Sequence, residues 1–231
     1  MAKLIEFSAW NDAYFDLAEK PVSAVQELPT WWKKTSRNAN LLNKKPAVTV
    51  KACAPTLDAM GAGYVIKMWT DLKITRENGL VVITQAFEGD VSATTRWDSS
   101  QVSNYPIPKG HSPDVFKFHH GWVIKTPPGW SSLILPPIGH NELPFQSIPG
   151  LVDTDILKTD INTPFTIRED FEGVIPRGTP MFQVIPIKRN SWESKVYGGN
   201  TDYEDFSRNQ SRLTTKFWGY YSSRRDKKQY K

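Results

Sequence analysis

Cys53 is the only cysteine in this 231-residue chain. A single thiol closes no internal disulfide and builds no multi-cysteine metal site, so a stapled secreted domain is excluded. No apolar run approaches the ~20 residues that a membrane span needs. The first residues lack the charged-then-apolar pattern of a signal peptide, and the expectation is a soluble chain made in a cytosol. Histidine is scarce at four residues. No segment recurs at a fixed period, which leaves out solenoids and propellers. Charge of one sign is scarce too, except at one end. Residues 207–231 hold eight Lys/Arg and one acid, Asp226, for a net +7, whereas residues 1–206 hold 21 basic and 23 acidic side chains, for −2. The high pI therefore belongs to the tail and says nothing about the fold.

Turn formers and aromatics are plentiful. Seventeen prolines and fourteen glycines argue for short strands and many turns, against a helical bundle, and the 39% apolar content is enough for a sizeable core. "KLIEF" opens with a candidate strand within residues 1–7. Residues 8–50 read as irregular, with a short helix around Pro29–Lys34, because proline suits a first helical turn. "APTLDAMGAG" (54–63) reads as a turn of helix ended by glycine. Strands are expected near 64–76 and 80–87, joined at Asn78–Gly79, the strongest short hairpin signal there is. "DVFKFHHGWVIKTPPGWSSLILPP" supplies three more strands, broken at His120–Gly121 and at Pro127–Gly129. "DILKTDI", "PFTI" and "PMFQVIPIKR" supply the rest. The expected fold is all-β, a distorted sandwich or β-clip-like barrel over residues 1–188 with short peripheral helices. Residues 189–231 change to polar, aromatic and charged composition and read as an extended basic C-terminal arm, with a helix near 202–218.

The run Gly150-Leu151-Val152-Asp153-Thr154-Asp155-Ile156, followed by Pro164-Phe165-Thr166-Ile167 and by Gly178 to Gln183-Val184, resembles the core pattern of the dUTPase and dCTP-deaminase (β-clip) superfamily over residues 123–187. The resemblance implies that Asp153, with Asp155 beside it, activates water for attack on a nucleotide phosphate while a magnesium ion screens the charge. The chain departs from the pattern at three places. Ile156 stands where an aromatic would stack on the sugar. Pro136-Pro137-Ile138-Gly139-His140 stands where an Arg-Ser-Gly phosphate site would lie. The glycine-rich closing arm is missing, and "VYGGN" (196–200) is a poor stand-in. A strand-end aspartate also has a structural use, accepting backbone N–H bonds in a turn.

At whole-chain level, "LDAMGAGYVIKMW" (57–69), "TPPGWSSLI" (126–134), "GLVDTDI" (150–156) and "IPRGTPMFQVIPIKRNSW" (175–192) resemble an uncharacterised family of bacteria and tailed phages. That resemblance carries no activity and implies a phage source, hence a virion or host-cytoplasm location. The histidines offer one further chemistry: an iron site of an oxygenase built from His119 or His120, His140 and Asp153. Adjacent strand residues face opposite sides, so His119 and His120 do not share one ion without a bend. Cys53 has no base beside it and reads as an inert small residue. Trp31 and Trp32 either staple their segment to the sheet or face a partner. In the tail, Phe217, Trp218, Tyr220, Tyr221, Arg224 and Arg225 suit either an arm lying on a neighbouring subunit or a nucleic-acid surface of phosphate contacts and stacking.

The expectation is a non-enzymatic virion structural or capsid-associated protein of decoration type, with no cofactor and no membrane. Its partners would be other subunits, as a homo-oligomer or in a capsid, gripped through Trp31, Trp32 and the tail. The alternatives are a metal-dependent nucleotide hydrolase using Asp153 and Asp155, and an iron-dependent oxygenase.

Overall fold

A computed structural model describes residues 3–39, 47–86, 91–198, 203–215, 220–226 and 230, with side chains for all of these except 47 and 213–215. Sixteen strands appear among them: β1 (Glu6–Ala9), β2 (Val22–Ser23), β3 (Asn38–Ala39), β4 (Ala47–Val48), β5 (Tyr64–Lys67), β6 (Leu72–Glu77), β7 (Leu80–Gln85), β8 (Thr94–Arg96), β9 (His111–Phe118), β10 (Trp122–Lys125), β11 (Trp130–Leu135), β12 (Phe145–Ser147), β13 (Gly150–Val152), β14 (Thr163–Arg168), β15 (Gly173–Ile175) and β16 (Pro180–Lys188). Four helices accompany them: α1 (Asp12–Leu17), α2 (Thr30–Lys34), α3 (Ala54–Met60) and α4 (Tyr203–Thr215).

The architecture is all-β and sandwich-like, with every strand pair antiparallel. The largest sheet has the order β13-β11-β16-β5-β2, and a four-stranded sheet runs β12-β14-β9-β8. A three-stranded sheet, β15-β6-β7, and two ribbons, β1-β10 and β3-β4, complete the set. One core joins the three main sheets. Ile66, Ile134, Phe182 and Val184 come from the first, Phe116, Phe118, Phe145, Phe165 and Ile167 from the second, Leu72, Ile74, Val81 and Ile175 from the third. Burial of each such side chain contributes roughly 1.5–3 kcal/mol. Trp69 and Trp122 lie at the centre. The Trp69 indole Nε1–H donates to the His119 carbonyl at 2.8 Å, so its polar end is satisfied inside the core.

Local chemistry explains the elements. The β6–β7 hairpin pairs Glu77 with Leu80, leaving Asn78 (φ 51°) and Gly79 (φ 81°) as its two-residue loop. Positive φ at both centres is what a type I′ turn demands, and Asn-Gly meets it at least cost. The expected strand over 64–76 is interrupted. β5 ends at Lys67, and Met68, Trp69 and Leu72 are all buried while the chain crosses to the three-stranded sheet. One apolar run serves two sheets, so its hydropathy gives no sign of the break. Residues 8–39 and 48–50 are also more ordered than their composition suggests. Asn11 caps α1 through its side-chain oxygen, which accepts from the Tyr14 N–H at 2.8 Å. Tyr14 is buried among Trp69 and Trp122, and its hydroxyl donates to the His120 carbonyl. The helix expected near 202–218 is seen as α4, from Tyr203 to Thr215, and residues 216–219 lie outside the described ones.

Candidate functional site

The "GLVDTD" segment ends β13 and folds into a turn against β11. The Ile156 and Leu157 N–H groups donate to the Asp153 carbonyl at 3.0 and 2.9 Å. Thr154 points inward, where its Oγ1 shares hydrogen bonds with Thr126 (2.8 Å) and Ser132 (2.9 Å). The flanking carboxylates face a single guanidinium. Arg189, just past β16, holds Asp155 with both Nη atoms, Nη1 at 2.8 Å from Oδ1, in a two-pronged fork. The Gly129 N–H donates to Asp155 Oδ2 at 2.8 Å. Arg189 first, and then the Gly129 amide, hold the Asp155 carboxyl down at about 2. Asp153 Oδ1 accepts from Ser131 Oγ at 2.6 Å and lies 3.1 Å from Arg189 Nη1.

Asp153 and Asp155 are thus brought together, but around an arginine that ties three strand ends. Asp155 is a clamp. Asp153 keeps its Oδ2 for solvent and stays half exposed. A carboxylate so placed can orient a water, but its nearest charge is already a cation. Ile156, at the place of the stacking aromatic, points outward. The glutamine that closes the same motif is structural as well. Gln183 is 1% exposed; its Oε1 accepts from the Ile138 N–H (3.1 Å), and its Nε2 reaches the carbonyls of Ala59 (3.2 Å) and Ala62 at the end of α3. It satisfies helix-end groups that have no partner within the helix.

The histidines do not converge on Asp153. His111 bonds Thr166 Oγ1 (2.9 Å), His119 bonds Thr95 and Asn162, and His140 bonds Glu142 and the Glu27 carbonyl. His120 is fully buried with its ring 5.0 Å from that of Phe182. Among the described residues, no three His, Cys, Asp or Glu side chains group as metal ligands.

The tryptophan pair divides. Trp32 is 2% exposed, a core residue of the α2 segment, so the pair does not present two rings to a partner. Its amphipathic helix turns one ring in and the neighbouring ring out. Trp31 stays 39% exposed and donates its indole N–H to the Gly139 carbonyl at 2.7 Å, which staples α2 to the 136–140 loop.

In its described parts the arm is tied to the body of its own chain. It leaves the body at Arg189, whose N–H donates to the Gly129 carbonyl (2.9 Å). It is tied down again where Arg225 pairs with Asp58 (2.8 Å) and where the Tyr230 ring meets Tyr64 edge-on at 6.0 Å. Between these anchors Trp192 (87%), Val196 (97%) and Tyr197 (73%) stand almost bare, followed on α4 by exposed Tyr203 and Phe206. Of the tail residues singled out from sequence, Arg225 is spent on Asp58 and Arg224 lies over the Tyr220 ring at 4.2 Å. Tyr221 is exposed, and Phe217 and Trp218 lie outside the described residues. Trp192, Val196 and Tyr197 were not singled out; their signal was an aromatic cluster in a stretch with no apolar periodicity.

A cavity of about 320 Å³ opens between the two larger sheets at the β13 edge. Its walls are Ile134, Ile148, Gly150, Val152 and Ile161, closed by Trp97, Gln101, Val102 and Tyr105 of the 97–105 loop, with Asn162 and Thr163 adding an amide and a hydroxyl. No charged side chain lines it among the described residues. The Thr163 hydroxyl is buried without a partner among them. Among the described residues no helix is long and apolar enough to cross a membrane. Compared with known proteins, the chain matches no family model and no curated protein.

Proposed function

We propose that this chain is a non-enzymatic assembly protein that grips neighbouring subunits through residues 189–198 and α4. One observation carries the reading: Trp192, Val196 and Tyr197 stand bare on a strap anchored at both ends. Large apolar side chains left bare so close together in sequence suit a protein-binding surface, and aromatics lead interface cores. Holding both ends lowers the ordering cost of binding, because the strap is already positioned. The sequence resemblance to phage proteins supports a virion as the assembly, with the chain as a capsid-associated, decoration-type component. Two of the described tail cations, Arg225 and Arg208, are engaged by Asp58 and Asp205, which favours protein over nucleic acid as the partner.

The test is sedimentation velocity across about 1–100 μM, a range set by ordinary interface affinities. Wild type is expected to associate with rising concentration. The Trp192→Ser/Val196→Ser/Tyr197→Ser variant should remain a monomer with an unchanged unfolding curve. A wild type that sediments as a monomer throughout defeats the proposal.

The nucleotide-hydrolase alternative has one observation on its side: the cavity adjoins the loop that carries Asp153. Its uncharged walls offer nothing to a triphosphate. Pyrophosphate release from a deoxynucleoside triphosphate panel with magnesium, lost in Asp153→Asn, would establish it over the assembly reading.

A further inference from the structure

We propose that the cavity at the β13 edge is the receptor for the strap of a second copy, with Trp192 as the inserted anchor, so that copies join strap to cavity. The inference rests on the assembly reading above and names its acceptor. Three observations support it.

The first is chemical fit. The cavity is neutral, walled by Ile134, Ile148 and Val152 and faced by Trp97 and Tyr105, with the amides of Gln101 and Asn162 in its wall. That lining suits a neutral aromatic side chain with a single polar atom, and an indole is one. Its N–H has amide oxygen to find, and its faces have aromatic and aliphatic walls. A volume of about 320 Å³ admits a tryptophan side chain with room to spare. In extended chain, Val196 lies on the same side as Trp192, about 13 Å further on, and would seat at the rim.

The second is the route of the strap in its own chain. It starts at the Trp130 end of β11, where Lys188 pairs with Trp130. It is pinned on α3 at Asp58 and on β5 at Tyr64. In the sheet order β13-β11-β16-β5-β2, β5 stands three strands from β13, about 14 Å by strand spacing. Trp192 does not fill its own cavity and stays 87% exposed. The donor side chain is therefore bare in its own chain and is not part of the cavity's lining.

The third is symmetry. Strap and cavity are unlike, so each contact uses one of each: passed on in one direction the contact closes a ring or runs on as a filament, and exchanged reciprocally between two copies it closes a two-fold dimer.

The test uses the full chain and two variants. Gly150→Phe plugs the acceptor: Gly150 lines the cavity, and a Cβ there meets nothing within 4 Å, so the body has room for it. Trp192→Ser removes the donor at a position with no packing to lose. Each variant alone is expected to self-associate at least tenfold more weakly than wild type by sedimentation velocity. Mixed in equal amounts they should form a 1:1 dimer and nothing larger, since one supplies the only intact strap and the other the only intact cavity. Unfolding curves of both check the fold. If Trp192→Ser abolishes association and Gly150→Phe leaves it as in wild type, the strap reading stands and the cavity is not its receptor. If both variants associate like wild type, or wild type is a monomer, both proposals fall. If both variants are monomers and the mixture is too, the strap-to-cavity pairing is overturned.

Discussion

His120 should make the fold acid-labile within a defined window. Its ring is fully buried against Phe182, and its Nδ1 accepts the Trp122 N–H at 3.1 Å. Burial is the main cause that pulls its pKa down to about 4; the charge of Asp160 opposes the shift and that of His119 adds to it. Protonation would place a charge in the core and turn the Nδ1 acceptor into a donor, breaking the bond to Trp122. The folded pKa lies below the unfolded value of 6.5, so the unfolded chain takes up the proton first. Stability is therefore intact above about pH 6.5 and falls as the pH drops toward 4. A shift of some two and a half pH units corresponds to about 3 kcal/mol, of which about 2 kcal/mol is lost by pH 4.5. The perturbation is His120→Asn, whose Oδ1 can keep the Trp122 N–H bonded while nothing titrates. Urea unfolding at about pH 7 and about pH 4.5 reads the result, with both proteins sharing the ordinary carboxylate losses. Wild type should lose about 2 kcal/mol more than the variant over that interval. Equal losses would refute a neutral, buried His120.

Further outcomes follow from the same packing. Gln183→Leu leaves the Ile138 N–H and the Ala62 carbonyl without the bonds Gln183 gives them and should cost about 2–4 kcal/mol in urea unfolding, far more than its change in size implies. Gly63→Ala would put a Cβ 1.9 Å from the Val184 carbonyl oxygen and is expected to cost about 3 kcal/mol or more, whereas Gly79→Ala, also at positive φ but in open space, should cost about 1 kcal/mol. Similar losses at both sites would contradict the close approach of β5 to β16. Asp155→Asn removes the charge at the centre of the Arg189 fork, leaving Arg189 its contact with Asp153, and hydrogen exchange at the Gly129 amide should speed up while the core amides keep their protection. Since the Asp155 carboxyl sits below its usual value, its contribution is present above about pH 4 and fades toward pH 2. Unchanged exchange at Gly129 would show that the fork does not hold the turn.

Local signals in the sequence carried the pieces that depend on few residues. Asn78–Gly79 marks its hairpin because only positive φ at both centres closes a two-residue loop. Pro29 marks the start of α2, where it stands as the extended N-cap residue just before the first turn of Thr30–Lys34. What failed to show depended on distant partners. The break after Lys67 is invisible because the crossing residues are as buried as the strand residues. The partner of Asp155 lies 34 positions away, past β16, and nothing near Asp155 announces it. The same holds for Trp32 and Trp31. Adjacent, identical side chains separate into core and surface only when the helix is docked. Trp192 was legible as composition, but its exposure was not, since burial is a property of what surrounds a residue.

The position of β16 has a consequence for how the protein is made. It is the middle strand of the largest sheet and the last strand among the described residues, pairing with β11 on one side and β5 on the other. On a ribosome, β5 emerges more than a hundred residues before its partner and cannot complete the sheet while it waits. Until residues 180–188 are released, two apolar strand edges lie open to other nascent chains. Closure of so long a loop is slow, which makes folding of this sheet a late event and sets the interval in which chaperones or misassembly compete for it.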